Sequence, residues 1–88
     1  MSGVIKFFTA PWCGTCHIMK LEAEKAASKF KKELEVIDLT TMAGVAEANE
    51  FMVKAIPQLI YVKNDDVRGR LIGYGKASKI NFIRRHEK

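Results

Sequence analysis

The chain has 88 residues, 48% hydrophobic and 28% charged, enough to fill one core and too short for two, so a single domain is expected over residues 1–88. This composition excludes an intrinsically disordered segment, and no apolar run approaches the roughly 18 residues that cross a bilayer. Fifteen Lys and Arg against ten Asp and Glu give a net charge of +5, which favours encounter with acidic partners without specifying one.

The first residues lead straight into "VIKFF", Val4 to Phe8, instead of a basic segment and secretory core, so the expected address is the cytoplasm. That run is β-branched and aromatic and reads as a strand buried on both faces. From Gly14 to about Lys31, Cys16, Met19, Ala23, Ala26, Ala27 and Phe30 recur at the three-or-four spacing of a helix face. "LEVIDL", Leu34 to Leu39, is a second strand, and Thr40-Thr41 can cap a helix from about Ala43 to Val53. Its expected inward positions are Val45, Ala48 and Met52, with Phe51 at the edge, and it must stop before Pro57. "QLIYVK", the turn "NDD" and "VRGRLIGY" read as a hairpin, broken at Gly75. Ser78 can cap a last helix to about Arg85, anchored by Ile80 and Ile83. The order βαβαββα implies an α/β domain, a four-stranded mixed sheet flanked by three helices.

Both cysteines lie in "APWCGTCH". A bridge between Cys13 and Cys16 closes almost no loop, so it restrains the unfolded chain little, and a structural staple is the weakest reading. Redox catalysis, or half of a metal or cluster site, remains. A helix N-terminus offers unpaired N–H groups and about half a positive charge, both favouring a thiolate, and Cys13 falls at that end. Cys16, one turn inward, is placed to attack a disulfide that Cys13 has formed. For thiols in general, lowering the pKa from about 8.5 to about 7 gains about 15-fold in thiolate but loses about fivefold in nucleophilicity, so position outweighs acidity. A one-chain zinc site would need His17 and His86 to converge on the same two thiols. No basic-aromatic interleaving suggests a nucleic-acid surface, and "IRRHEK" reads as a solvated helix end. Met19, Met42 and Met52 read as core or near-core fillers, His17 as a solvated helix residue.

"FFTAPWCGTCHIMK" and "MVKAIPQLIYVKND" resemble the active-site segment and the later Ile-Pro strand of the thioredoxin family, with Gly73 where that family has a glycine near its active site. The resemblance covers nearly the whole chain, which begins at what is the family's second strand, and implies a minimal thioredoxin-like fold. It implies a thiol-disulfide oxidoreductase that reduces protein disulfides through a Cys13 mixed disulfide resolved by Cys16. It also implies a cis bond before Pro57, and a docking surface of Trp12, Gly14, Thr15, Ile56, Pro57, Ile72, Gly73 and Tyr74. The Cys13–Cys16 couple then needs no cofactor or metal. The implied partners are protein disulfides and, as electron donor, a thioredoxin-reductase-type flavoenzyme or glutathione, with no nucleic acid, no membrane and a monomeric chain.

Two positions depart from the family pattern. Phe7 stands six residues before Cys13, where thioredoxins carry a buried aspartate that assists proton transfer at the resolving thiol, and Thr15 stands where most have proline. The alternatives are a glutaredoxin-type, glutathione-dependent enzyme, and a metal-, cluster- or partner-binding module built on the CxxC. Against glutathione, Gly-Thr separates the cysteines, Ala-Ile precedes Pro57, and Lys76 stands where an acidic residue would pair with the tripeptide's α-amino group.

Overall fold

Alternation along β1 (Gly3–Thr9) sends Ile5 and Phe7 to one face of the sheet and Phe8 to the other, and the two faces become two separate cores. The computed structural model of the chain describes residues 3–73. Strand β1 is followed by α1 (Gly14–Phe30), β2 (Glu33–Asp38), α2 (Met42–Glu50), β3 (Gln58–Lys63) and β4 (Asp66–Ile72). The strands lie in the order β2-β1-β3-β4. β1 and β2 run parallel while β1–β3 and β3–β4 run antiparallel, giving the expected mixed sheet. Tyr74, Gly75 and the anticipated last helix fall outside the described residues.

Helix α1 covers the Ile5–Phe7 face. Cys16, Met19, Ala23, Ala26 and Ala27 pack there against Leu59 and Tyr61, with Phe30 half-buried at the end. The alanines keep side-chain bulk off the buried stripe, so the helix can approach the sheet closely. The opposite core joins Phe8, Ile37, Ile60 and Val62 to Ala48 and Val53. Beside it, Lys6 pairs with Glu35 and Glu47 and lies over the Phe51 ring. Burial alone would lower Lys6, but the hydrogen bonds and charges of the two glutamates outweigh it and hold the ammonium above its usual range.

The β2–α2 corner is built from short polar side chains. Thr41 Oγ1 accepts the Gly44 N–H at 2.9 Å and caps α2, while Asp38 Oδ1 accepts from the backbone N–H and hydroxyl of Thr40 at 2.8 and 2.7 Å. Those bonds hold the Asp38 carboxyl below the usual carboxylate range. A side chain at Gly44 would run into the Asp38 backbone carbonyl, so glycine is what lets the helix start this close to β2.

The inward positions expected for α2 need correction. The helix ends at Glu50, not Val53: Met52 adopts a left-handed φ of 59° and the Val53 N–H reaches back to the Ala48 carbonyl at 2.8 Å. This reversal puts Val53 in the core and leaves Met52 exposed. The buried positions of α2 are Gly44 and Ala48, while Val45 lies outside the core and Met42 is 91% exposed, so of the three methionines only Met19 is a core filler. The hairpin forms as expected, with Asn64 and Asp65 both at positive φ between Lys63 and Asp66.

Candidate active site

The strand-to-helix junction after β1 makes Cys13 the N-cap of α1, with φ −96° and ψ 104°. Its N–H donates to the Ala10 carbonyl at 3.1 Å, and its sulfur accepts the Cys16 N–H at 3.2 Å. The first turn of α1 contains no acidic residue to oppose negative charge on that sulfur. Cys13 and Cys16 are joined as a disulfide with Cα atoms 5.2 Å apart, within the ordinary range for such bridges.

The two sulfurs differ in depth. Cys13 is half-buried at the rim, whereas Cys16 is wholly sealed in the core that contains Phe7, Met19, Leu59 and Tyr61. Cys13 is therefore the sulfur-bearing residue that faces solvent, and Cys16 is shielded from it. Phe7, at the position of the family's buried aspartate, is itself fully buried in that same core. Among the described residues, no group of three His, Cys, Asp or Glu side chains is arranged to hold a metal ion.

Trp12 is 74% exposed and Ile72 62% exposed, so neither contributes to the core. The Ile56–Pro57 bond is cis, Pro57 is buried, and Ile56 packs against both cores. Pairing of Gln58 with Ile72 brings the end of β4 beside this bond, and the Gly73 N–H donates to the Pro57 carbonyl at 2.8 Å. Gly73 holds φ +84°, a conformation that L side chains rarely adopt. Gly14 and Thr15 are exposed on the first turn, and open space surrounds the position of a Cβ at Gly14. The structure thus joins Ile56, Pro57, Ile72 and Gly73 through the β3–β4 pairing, and Cys13 and Cys16 through the α1 cap, while Tyr74 lies outside the described residues. His17 is exposed, and its Nε2 hydrogen-bonds the Pro11 carbonyl at 3.1 Å, bracing the loop before Cys13.

Sequence reasoning missed Gln58 and Arg70. Gln58 is 2% exposed, directly follows Pro57, and donates from Nε2 to the Ala55 carbonyl at 3.1 Å. Arg70 donates from Nη1 to Gln58 Oε1 at 2.8 Å and from Nη2 to the Phe51 carbonyl at 2.7 Å. The one available signal was a polar residue opening the otherwise apolar run "QLIYV".

Residues 2–85 match the family model described as Thioredoxin. The chain is 30% identical to a thioredoxin of Haemophilus influenzae over 80 residues, covering 90% of this chain and 75% of that protein. It is 27% identical to a thioredoxin of Griffithsia pacifica, covering 97% and 79% of the two chains. Among solved structures, thioredoxin-2 of the malaria parasite superposes with a TM-score of 0.84 at 25% identity, covering 97% of this chain and 84% of that one. Thioredoxin 1 of Thermosipho africanus, at 23% identity and a TM-score of 0.80, shares the fold over 94% of this chain.

Proposed function

The chain belongs to the thioredoxin family, and from that premise we propose that it reduces protein disulfides, with Cys13 as nucleophile and Cys16 as resolving thiol. The observation that carries the assignment is the difference in depth: Cys13 caps α1 at the rim, and Cys16 is fully buried one turn inward. In the dithiol form, the Cys13 thiolate attacks one sulfur of a substrate disulfide. An S–S bond forms between Cys13 and that sulfur, and the partner sulfur leaves as a thiolate that takes up a proton. Cys16 then loses its proton and attacks the Cys13 sulfur, closing the intramolecular disulfide and releasing the second substrate thiol. Two electrons pass to the substrate, and the oxidised pair is the form seen here.

Trp12, Gly14, Thr15, Ile56, Pro57, Ile72, Gly73 and Tyr74 form the docking surface in this reading. Support comes from the exposure of Trp12, next to Cys13 in sequence, and of Ile72, beside the cis-proline, and the two thiols and their flanking backbone come from one chain. A monomer can therefore run the cycle, with no cofactor beyond the couple itself. The electron donor is a thioredoxin-reductase-type flavoenzyme, because the residues that would hold glutathione are replaced here, Lys76 included.

Reduction of a protein disulfide such as insulin tests the proposal, with Cys13→Ser and Cys16→Ser alongside the parent. Cys16→Ser should accumulate a substrate mixed disulfide that resists buffer exchange and is released by dithiothreitol. Cys13→Ser should form none, because its remaining thiol is sealed. Accumulation on Cys13→Ser instead would reverse the two roles, and an inert parent would end the enzyme reading.

A further inference from the structure

A groove of about 430 Å³ opens beside the cis-proline, lined by Met52, Lys54, Ala55, Gln58, Arg70 and Ile72. It is continuous with the docking surface, since Ile72 belongs to both and Gln58 follows Pro57 directly. Its walls are apolar where Met52 and Ile72 stand 69% and 62% exposed. Among the described residues, its charged lining is Lys54 and Arg70, both cationic.

Two features show that the groove is built. The left-handed turn at Met52 ends α2 early and turns the thioether outward instead of into the core. Gln58 and the Phe51 carbonyl hold the Arg70 guanidinium from two directions, so its charge is fixed in place while further donors stay available. Lys54 is exposed and has no ion-pair or hydrogen-bond partner among the described residues.

We infer that this groove is a specificity subsite for the polypeptide segment flanking the substrate's disulfide, and that it selects a segment carrying an apolar side chain next to a carboxylate. The inference rests on the oxidoreductase reading and extends it from the reacting sulfurs to the flanking chain. An apolar flank alone would fill the groove without engaging either cation, whereas a basic flank would oppose both. Charge complementarity of this kind acts mainly on encounter and partner discrimination.

The test uses the full 88-residue chain in its reduced form, mixed in excess with synthetic disulfide peptides, with Trp12 fluorescence reporting the second-order rate. One peptide pair differs only by Glu against Gln on the N-terminal flank of the reactive cysteine, and a second pair by the same change on the C-terminal flank. For one of the two pairs, the Glu peptide should react about three- to tenfold faster at low ionic strength, as expected for one or two partly exposed charge pairs. The advantage should fall toward unity near 0.5 M salt, where the screening length is about 4 Å. Lys54→Glu should bring the ratio to one or below. Lys25→Glu, an equal charge change on α1 outside the groove, should leave the ratio as it is in the parent.

Equal rates within both pairs would overturn the subsite. So would loss of the preference in Lys25→Glu to the same extent as in Lys54→Glu, because net charge would then be its source. If neither Glu nor Gln peptide is reduced, the oxidoreductase reading itself fails and the subsite falls with it, a result distinguishable from equal but measurable rates.

Discussion

Replacing Phe7 by the aspartate found at this position in thioredoxins probes the core beneath Cys16 directly. Phe7 is fully buried with Cys16, Met19, Leu59 and Tyr61. Truncating such a phenylalanine removes about 3–5 kcal/mol of packing, of which the smaller aspartate recovers part. An unpartnered carboxyl in the same space adds about 1–3 kcal/mol even when protonated. The sum, roughly 4–6 kcal/mol, is comparable with the whole stability of an 88-residue domain, about 4–13 kcal/mol. Phe7→Asp should therefore lower the urea midpoint of the oxidised protein severely.

The pH dependence carries a definite sign. Desolvation raises the folded-state pKa of the introduced carboxyl above its unfolded value near 3.9, so the folded form binds more protons between the two values. Stability then falls as pH rises through that window, and the variant should be weaker at pH 7.5 than at pH 4.5 relative to the parent. Phe7→Leu, which keeps the site apolar, should cost about 1–1.5 kcal/mol with no such slope. A Phe7→Asp protein within about 1 kcal/mol of the parent at both pH values would refute the reasoning, because the pocket under Cys16 would then be polar or hydrated.

The glycines offer a second check by urea unfolding. Gly73→Ala meets no atom within 4 Å but is held at φ +84°, so its cost should be conformational and about 1–2 kcal/mol. Gly14→Ala, with the same open space and a helical backbone, should shift stability by no more than about 0.5 kcal/mol. Gly44→Ala faces the Asp38 backbone and should exceed both, at about 3 kcal/mol; similar losses for Gly44 and Gly14 would show that the β2–α2 corner yields freely. Titration of stability supplies a third test. Lys6 is raised above 10.5, so its contribution is complete below that pH and is lost as pH climbs through the folded value. Lys6→Met should flatten that alkaline limb. Asp38 is lowered below 3.8, so its contribution is present above that pH and is lost as pH falls through the folded value, and Asp38→Asn should flatten the acid limb. Unchanged limbs in either variant would assign the pH dependence to other groups.

Those pH-sensitive contacts were not legible in the sequence, although the elements that carry them were. α1 declared itself because its apolar residues recur at helical spacing, β1 and β3 because they are short runs rich in β-branched and aromatic residues, and Asn64-Asp65 signalled the tight hairpin. α2 misled because a methionine, not a glycine, takes the left-handed position that ends it, and no residue type announces that event. Of the expected inward positions Val45, Ala48 and Met52, Ala48 is buried as expected, while Gly44 and Val53 take the inward places expected of Val45 and Met52. The Arg70–Gln58 contact was hidden for another reason, since the two residues are twelve apart and meet only through the β3–β4 pairing. The closeness of Cys13 and Cys16, by contrast, is readable from the chain alone, since three positions apart at a helix start brings two side chains together.

Spacing alone does not distinguish those two cysteines, because residues three apart on a helix share a face. Position at the helix end gives them different depths. The N-cap lies outside the first helical turn, so Cys13 stays at the rim while the next turn carries Cys16 beneath it against Phe7. The same junction turns Trp12 outward, and the β4 end, tied to Pro57 through Gly73, brings Ile72 beside the cis bond. Apolar depth protects one sulfur and apolar exposure presents the other. A substitution that fills or wets the core should therefore act on stability and on the resolving step, whereas one on the rim should act on which disulfides are met. Lys54 and Arg70 stand on the rim, and Phe7 stands in the core. In the proposed cycle, variants at those sites should separate selection of the substrate from closure of the internal disulfide.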